Sequence, residues 1–199
     1  MRAASIVVLA SGDGSLAEAL MRVGRASAAF SVVALVSDRD GIKALKRAAN
    51  LETPAVVVDF ESFANRNDWE KELAARIASF GPWLVVSAGF MRILSPEFLT
   101  KFKVINSHPS LLPHFPGARA VEDALAAGVG ETGCTVHFVD AGIDTGQVLA
   151  QRKLQIFPED NALTLHERIK EIERVLLPEI VTGLALTHFA KSEESGQRE

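Results

Sequence analysis

Asn106 and His108 stand two residues apart at the end of an apolar run, Val104-Ile105-Asn106-Ser107-His108. In an extended chain alternate side chains share a face, so the amide and the imidazole point the same way. That pair suits addition to a carbonyl. The amide N–H holds a developing oxyanion, and the imidazole donates a second hydrogen bond or moves a proton. The same residues also fit a capped strand end with an incidental histidine. Further along, Asp144 lies in Asp140-Ala141-Gly142-Ile143-Asp144-Thr145-Gly146, a cluster whose first reading is a turn. A carboxylate there is able to pair with His108 and raise its pKa, although spacing alone does not make the pairing.

Gly12-Asp13-Gly14-Ser15-Leu16-Ala17 is the second candidate. Glycines at a strand-to-helix turn aim free N–H groups at a phosphate, helped by the helix dipole. Three readings stay open: a plain turn, a mononucleotide-type phosphate site, and a relaxed dinucleotide fingerprint with Asp38 as the ribose acid. No Gly-Lys-Ser/Thr follows, so it is not a Walker loop. In Ser87-Ala88-Gly89-Phe90-Met91-Arg92-Ile93-Leu94, the apolar residues read as core and Arg92 as a snorkelling residue or a ligand anchor. His137, between Val136 and Phe138, reads as a half-buried strand histidine. His114, His166 and His188 have no partner at metal-ligand spacing, and no metal site is expected.

These groups need a scaffold, and the chain supplies an alternation of strands and helices. Ile6–Ala10, Val32–Val36, Ala55–Val58, Trp83–Ser87 and Lys103–Ser107 read as strands of a parallel sheet. Between them, Leu16–Arg25, Asp40–Ala49 and Asn67–Ser79 read as helices, with Ser15 as an N-cap and a short helix after Ser95-Pro96. The rhythm then changes. A helix over Ala120–Ala127 precedes two strands, Thr135–Val139 and Gln147–Ile156, that suggest an antiparallel hairpin. Leu163–Leu186 is helical, with Leu165, Ile169, Ile172 and Leu176 on one stripe and Pro178 expected to kink or break it. The fold class is α/β: one doubly wound, mostly parallel sheet with an antiparallel C-terminal hairpin and a long C-terminal helix. One domain spans 1–190, and 191–199 is a polar, frayed tail.

The 199 residues carry 21 basic and 25 acidic side chains, a formal charge of −4, which argues against a nucleic-acid binder. A single cysteine, Cys134, excludes an internal disulfide. No apolar stretch is long enough to span a membrane. Met1–Ala10 superficially mimics a signal peptide, but its core is short and runs into a glycine turn. A cytoplasmic protein is the expectation.

The run Asn106-Ser107-His108-Pro109-Ser110-Leu111-Leu112-Pro113, with Phe115-Pro116-Gly117 beyond it, resembles the glycinamide ribonucleotide formyltransferases of purine biosynthesis, within the folate-dependent formyltransferases. Gly89-Phe90-Met91-Arg92-Ile93-Leu94, the Ser11-Gly12-x-Gly14-Ser15 loop, Thr135–Val139 and Asp144-x-Gly146 agree in order and spacing. The match runs from about Ile6 to Leu184.

The resemblance implies transfer of a formyl group from 10-formyltetrahydrofolate, a co-substrate, to the amine of 5′-phosphoribosylglycinamide. Asn106 and a protonated His108 would stabilise the tetrahedral oxyanion, and Asp144 would hold His108 cationic. Backbone at Gly14, Ser15 and Leu16 would cradle the phosphate in an N-terminal half of about 1–100. Lys170 and Glu173 would bind the ribonucleotide, Glu173 through the ribose hydroxyls. Met91, Arg92, Ile93, Leu94, Asn106, Asp140 and Asp144 would meet the folate, with Arg92 and Arg66 on its acidic tail, and catalysis would fall in a half of about 101–190. A monomer or weak homodimer is implied, with no metal, nucleic acid or membrane partner. Three positions depart from the family pattern: Asp13 in the phosphate loop, Arg119 after Phe-Pro-Gly-Ala, and Gln147 after Asp-Thr-Gly. An acid at 13 repels phosphate unless it turns away. Residue types alone leave two other readings, a nicotinamide-dependent dehydrogenase and a non-catalytic binding module. A formyltransferase with another acceptor, such as an amino sugar nucleotide, would share the same triad.

Overall fold

The structure is a computed structural model and describes residues 3–196. Valine-rich runs form the inner strands, because parallel strands covered on both faces tolerate no polar alternation. In chain order the elements are β1 (Ala4–Leu9), α1 (Ser15–Ala26), β2 (Phe30–Ser37), α2 (Lys43–Asn50) and β3 (Ala55–Val57). Then come α3 (Arg66–Ala78), β4 (Leu84–Ser87), α4 (Pro96–Lys101), β5 (Val104–His108) and α5 (Ala120–Ala126). The chain closes with β6 (Glu131–Phe138), β7 (Val148–Gln155) and α6 (Ala162–Gly196).

The seven strands lie in the order β3-β2-β1-β4-β5-β6-β7. β1 to β5 pair in parallel; β5–β6 and β6–β7 are antiparallel. The order reverses between β1 and β4, which opens a crevice beyond their carboxyl ends, where open α/β sheets bind ligands. One core lies between the sheet and α1 and α6, around Ile6, Val8, Leu20, Ile105 and Ile169. The other lies under α3 and α4, around Val7, Leu9, Trp69, Leu73, Ile77 and Phe98. Successive residues of β5 alternate between the two: Val104 joins the second core and Ile105 the first.

Several expectations change. Gly14, not Ser15, occupies the N-cap of α1, with φ of 74° and no side-chain cap; Ser15 is the first helical residue. α6 is one helix of 35 residues that runs through Pro178. Leu176, Leu177, Val181 and Ala185 are all buried, so packing continues across the proline and outweighs its missing N–H. The helix reaches Gly196, so most of the expected frayed tail is helical. Residues 197–199 lie outside the described residues.

Candidate active site

β5 sets the site. Asn106 and His108 share a face, as period two requires, and antiparallel pairing puts His137 directly opposite Asn106. The β6–β7 connection leaves beyond Phe138, and its Asp144 returns across this face. Asp144 Oδ2 lies 3.3 Å from His108 Nδ1, and Oδ1 lies 3.5 Å from His137 Nε2. The N–H of Gly117 donates to Asp144 Oδ2 at 2.8 Å, which ties this loop to the segment after β5. Asn106 Nδ2 is 3.4 Å from His137 Nε2. Asp144 holds a left-handed φ of 54°. Close approach fixes the loop there: a Cβ on Gly146 would sit 1.7 Å from the Phe138 carbonyl oxygen.

His108 is buried, and its Nε2 faces the carbonyl of Phe115 at 2.8 Å. Both ring nitrogens therefore look at acceptors, which favours the imidazolium. Burial nevertheless dominates and pulls the His108 pKa below its ordinary value, against the Phe115 carbonyl and the Asp144 charge. This corrects the expectation of a histidine held cationic: the pairing is present, but desolvation is larger. For Asp144 the balance tips the other way. Burial opposes its ionisation, yet the His137 and Gly117 hydrogen bonds and the nearby imidazoles together hold its carboxyl below the usual range.

The second half of the site gathers at the N-terminus of α1. A cleft of about 450 Å³ is lined by Asp13 and Ser15 of the loop, Arg22 of α1, Arg47 of α2, and Lys170 and Arg174 of α6. Gly14 is needed here for packing as well as for conformation: a Cβ would lie 2.4 Å from the Ala44 Cβ of α2. Glu173 does not line this cleft. It is buried, and Ser107 Oγ donates to its Oε1 at 2.7 Å from the face of β5 opposite Asn106 and His108. Burial pushes the Glu173 carboxyl up, against that hydrogen bond and the charges of Lys170 and Arg174.

Residues 4–181 match the family model described as formyl transferase. The chain belongs to the formyl transferase family. A phosphoribosylglycinamide formyltransferase of Mycobacterium tuberculosis H37Rv is 48% identical over 187 residues, which are 93% of this chain and 86% of that protein. The human trifunctional purine biosynthetic protein adenosine-3 is 38% identical over 180 residues, 88% of this chain but 18% of that much longer protein. The crystal structure of glycinamide ribonucleotide transformylase 1 from Symbiobacterium toebii superposes with a TM-score of 0.90 at 35% identity, covering 94% of this chain and 89% of the other.

In this formyl transferase the residues expected to hold folate sit at three loop ends. Met91 and Ile93 are 67% and 64% exposed, so they are not core, whereas Leu94 is buried. Arg92 is not free: its Nε donates to Asp38 Oδ2 at 2.8 Å, and its guanidinium lies 3.9 Å from the Phe60 ring centroid. Asp38 is wholly buried beneath Arg92 and Arg39, so it is not an open ribose acid, and the dinucleotide reading loses its partner residue. Exposed Arg66 begins α3 and donates to the carbonyl of Ile93. Asp140 is exposed and braces its own loop, accepting from Thr145 Oγ1 at 2.8 Å and Gly142 N at 3.1 Å.

His137 is the member that sequence reasoning left as structural. Its signal was the strand alternation that also carries Thr135, combined with the register to β5, which no local pattern contains. Cys134 is buried and its thiol is pushed up to about 12 by burial, so it is chemically inert. Among the described residues no three His, Cys, Asp or Glu side chains converge to hold a metal ion.

Proposed function

We propose that this formyl transferase moves the formyl group of 10-formyltetrahydrofolate to the amine of 5′-phosphoribosylglycinamide, giving the N-formyl product and tetrahydrofolate. The observation that carries the reading is the meeting of Asn106, His108 and Asp144 on one face of β5, with His108 Nδ1 and Asp144 3.3 Å apart. The amine attacks the formyl carbon and the carbonyl becomes an oxyanion. The Asn106 amide donates to it. His108 begins neutral, because burial favours that form, and takes up the proton that the attacking amine nitrogen must give up as it bonds to carbon. Asp144 stabilises the imidazolium at that moment and holds the ring in place. Collapse of the adduct reforms the carbonyl and breaks the bond to the folate nitrogen, which receives that proton from His108 and leaves, so that the imidazole is neutral again.

The acceptor's phosphate meets the backbone of Gly14, Ser15 and Leu16. An N-cap without a side-chain bond leaves the first N–H groups of α1 available for it. Lys170 shares that cleft with Ser15, and Glu173, behind the cleft with one oxygen held by Ser107, offers its other oxygen to the ribose hydroxyls. This crosses the simple split into an N-terminal phosphate half and a C-terminal catalytic half within the domain 1–190. Exposed Met91 and Ile93, with Asp140, offer the folate a partly apolar wall; exposed Arg66 meets its acidic tail, and Arg92, already paired with Asp38, adds its charge from behind. The donor is a folate, and the reaction needs no metal, so turnover survives exhaustive chelation. A cytoplasmic monomer or weak homodimer completes the reading; a lone buried thiol fits a reducing compartment.

The test mixes the protein with 10-formyltetrahydrofolate and phosphoribosylglycinamide and follows the deformylated folate. Turnover is expected with this acceptor. Turnover with an amino sugar nucleotide instead would keep the triad and overturn the acceptor.

A further inference from the structure

Asp13 is the one residue of the phosphate loop whose charge opposes its proposed ligand. Glu18, in the first turn of α1, adds a second carboxylate beside the same site. Two acids next to a phosphate dianion cost affinity unless a cation covers them.

Arg47 of α2 covers both. Its Nε donates to the main-chain carbonyl of Asp13 at 2.9 Å. One terminal nitrogen meets both carboxylate oxygens of Asp13, at 3.0 and 3.2 Å, and the other meets Glu18 Oε2. The planar fork of a guanidinium makes this three-way contact possible, and an ammonium would not reproduce it. Helix α2 is held against the loop independently of Arg47. The Ala44 N–H donates to the Gly12 carbonyl at 3.2 Å, and the side chain of Ala44 sits over Gly14. Lys43 Nζ stands 3.6 Å from Asp13, farther than Arg47. Glu18 shares its other oxygen with Arg22 at 2.6 Å. Asp13 depends on α2 for its counter-charge.

We propose that Arg47 is a positioning residue for the acceptor's phosphate, acting through Asp13: it cancels the loop's carboxylate and holds the loop backbone toward the ligand. The proposal rests on the reading that this loop binds the ribonucleotide phosphate. It explains how an acidic loop residue is compatible with that role. Asp13 then serves as one handle by which α2 holds the loop, at the expense of a charge that Arg47 neutralises at close range and Lys43 from farther off.

The test compares the wild type with Arg47→Gln, Asp13→Asn and the double variant in steady-state formyl transfer. Arg47→Gln should raise the ribonucleotide KM about tenfold, the size expected when a carboxylate is uncovered near a dianion in a half-exposed site. Both kcat and the formyl-folate KM should stay within about twofold. Adding Asp13→Asn should restore most of the loss, because the uncovered charge is then gone. An unchanged KM in Arg47→Gln, or a KM that Asp13→Asn fails to rescue, overturns the proposal; the latter would mean that Arg47 touches the phosphate itself. The same four proteins, titrated with inorganic phosphate as a calorimetric probe, should show the same order of affinities. That arm needs no turnover. A wild type that binds phosphate in this pattern but fails to formylate the ribonucleotide would leave the proposal standing and sink the functional reading. Arg47→Lys covers the case of a poorly folded Gln variant: it keeps the charge but loses the fork, so its KM should fall between those of the wild type and the Asp13-rescued pair's parent. A Lys variant with wild-type KM would contradict the bracing half of the proposal.

Discussion

A buried imidazole with acceptors at both nitrogens is under opposing pulls, and the catalytic behaviour of His108 follows from which pull is altered. Asp144 is one of the two groups that raise its pKa against burial. Asp144→Asn should therefore move the His-dependent limb of the pH–rate profile to lower pH. Asn106→Ala removes a donor to charge that develops only in the transition state, and His108→Ala removes the imidazole whose charge answers it; losses of this kind typically cost on the order of 10²–10³ in turnover. Because His108 and Asp144 act as a unit, His108→Ala/Asp144→Asn should be little slower than His108→Ala alone. Single-turnover formyl transfer across pH measures all of these. Effects that simply multiply, or an unmoved profile in Asp144→Asn, would reduce Asp144 to a loop residue. The pair Asn106 and His108 was legible in the sequence because period two is a local property of a strand. Asp144 was legible only as a candidate, since its contact depends on a loop folding back over a face. The sign of the His108 shift was not legible at all: its burial comes from the chain folding back so that the Phe115 carbonyl meets the ring, which no spacing encodes.

At the scale of elements, the turn between β1 and α1 joins binding to architecture. Gly14 has φ of 74°, and a side chain there would meet both the Cβ and the Cα of Ala44, at 2.4 and 2.6 Å. A left-handed backbone costs a non-glycine residue roughly 1–2 kcal/mol before any clash is counted. Gly14→Val is thus expected to lower stability by more than about 2 kcal/mol in chemical denaturation and to weaken both substrates, instead of blocking phosphate alone. A well-folded Gly14→Val that has lost only the ribonucleotide would show that α2 yields easily. Glycine at this turn was visible in the sequence, but the helix that requires it was not. The strands were legible because their apolar runs are continuous. Ser15 was misread as a cap because its type fits an N-cap, while the left-handed glycine beside it ends the turn instead. Pro178 does not break the helix as one of its two expected outcomes required, because a stripe of buried residues on both sides of it outweighs the local rule about proline.

The whole molecule places its two chemistries on opposite faces of one strand. Ser107 points to Glu173 and α6, while Asn106 and His108 point to Asp144. The sheet therefore carries its titrating groups at its centre, and their protonation is linked to folding. His108 has a folded pKa below the ordinary histidine value of about 6.5. Between those two values the unfolded chain binds more protons, so stability rises with pH there and is lost as pH falls through that window. Asp144, also lowered, adds a loss with the same sign, but it begins only below the ordinary carboxylate range of about 4. Glu173 has the opposite sign. Its folded pKa is raised, so its contribution is fully present below about 4.5 and is lost as pH rises. Asp144 acts only below the carboxylate range, whereas Glu173 works against His108 wherever their ranges overlap above about 4.5. From pH 7.5 down to 5, denaturation midpoints carry a loss from His108 and from His166, whose pKa burial also lowers, set against a gain from Glu173; the share of His108 is what its replacement removes. His108→Gln, which cannot take up a proton, should lose less stability toward acid over the same range than the wild type, even if its midpoint at pH 7.5 is lower. Parallel curves for the two proteins would mean that the buried imidazole is not what couples acid to unfolding, and that solvent reaches it more freely than its surroundings indicate.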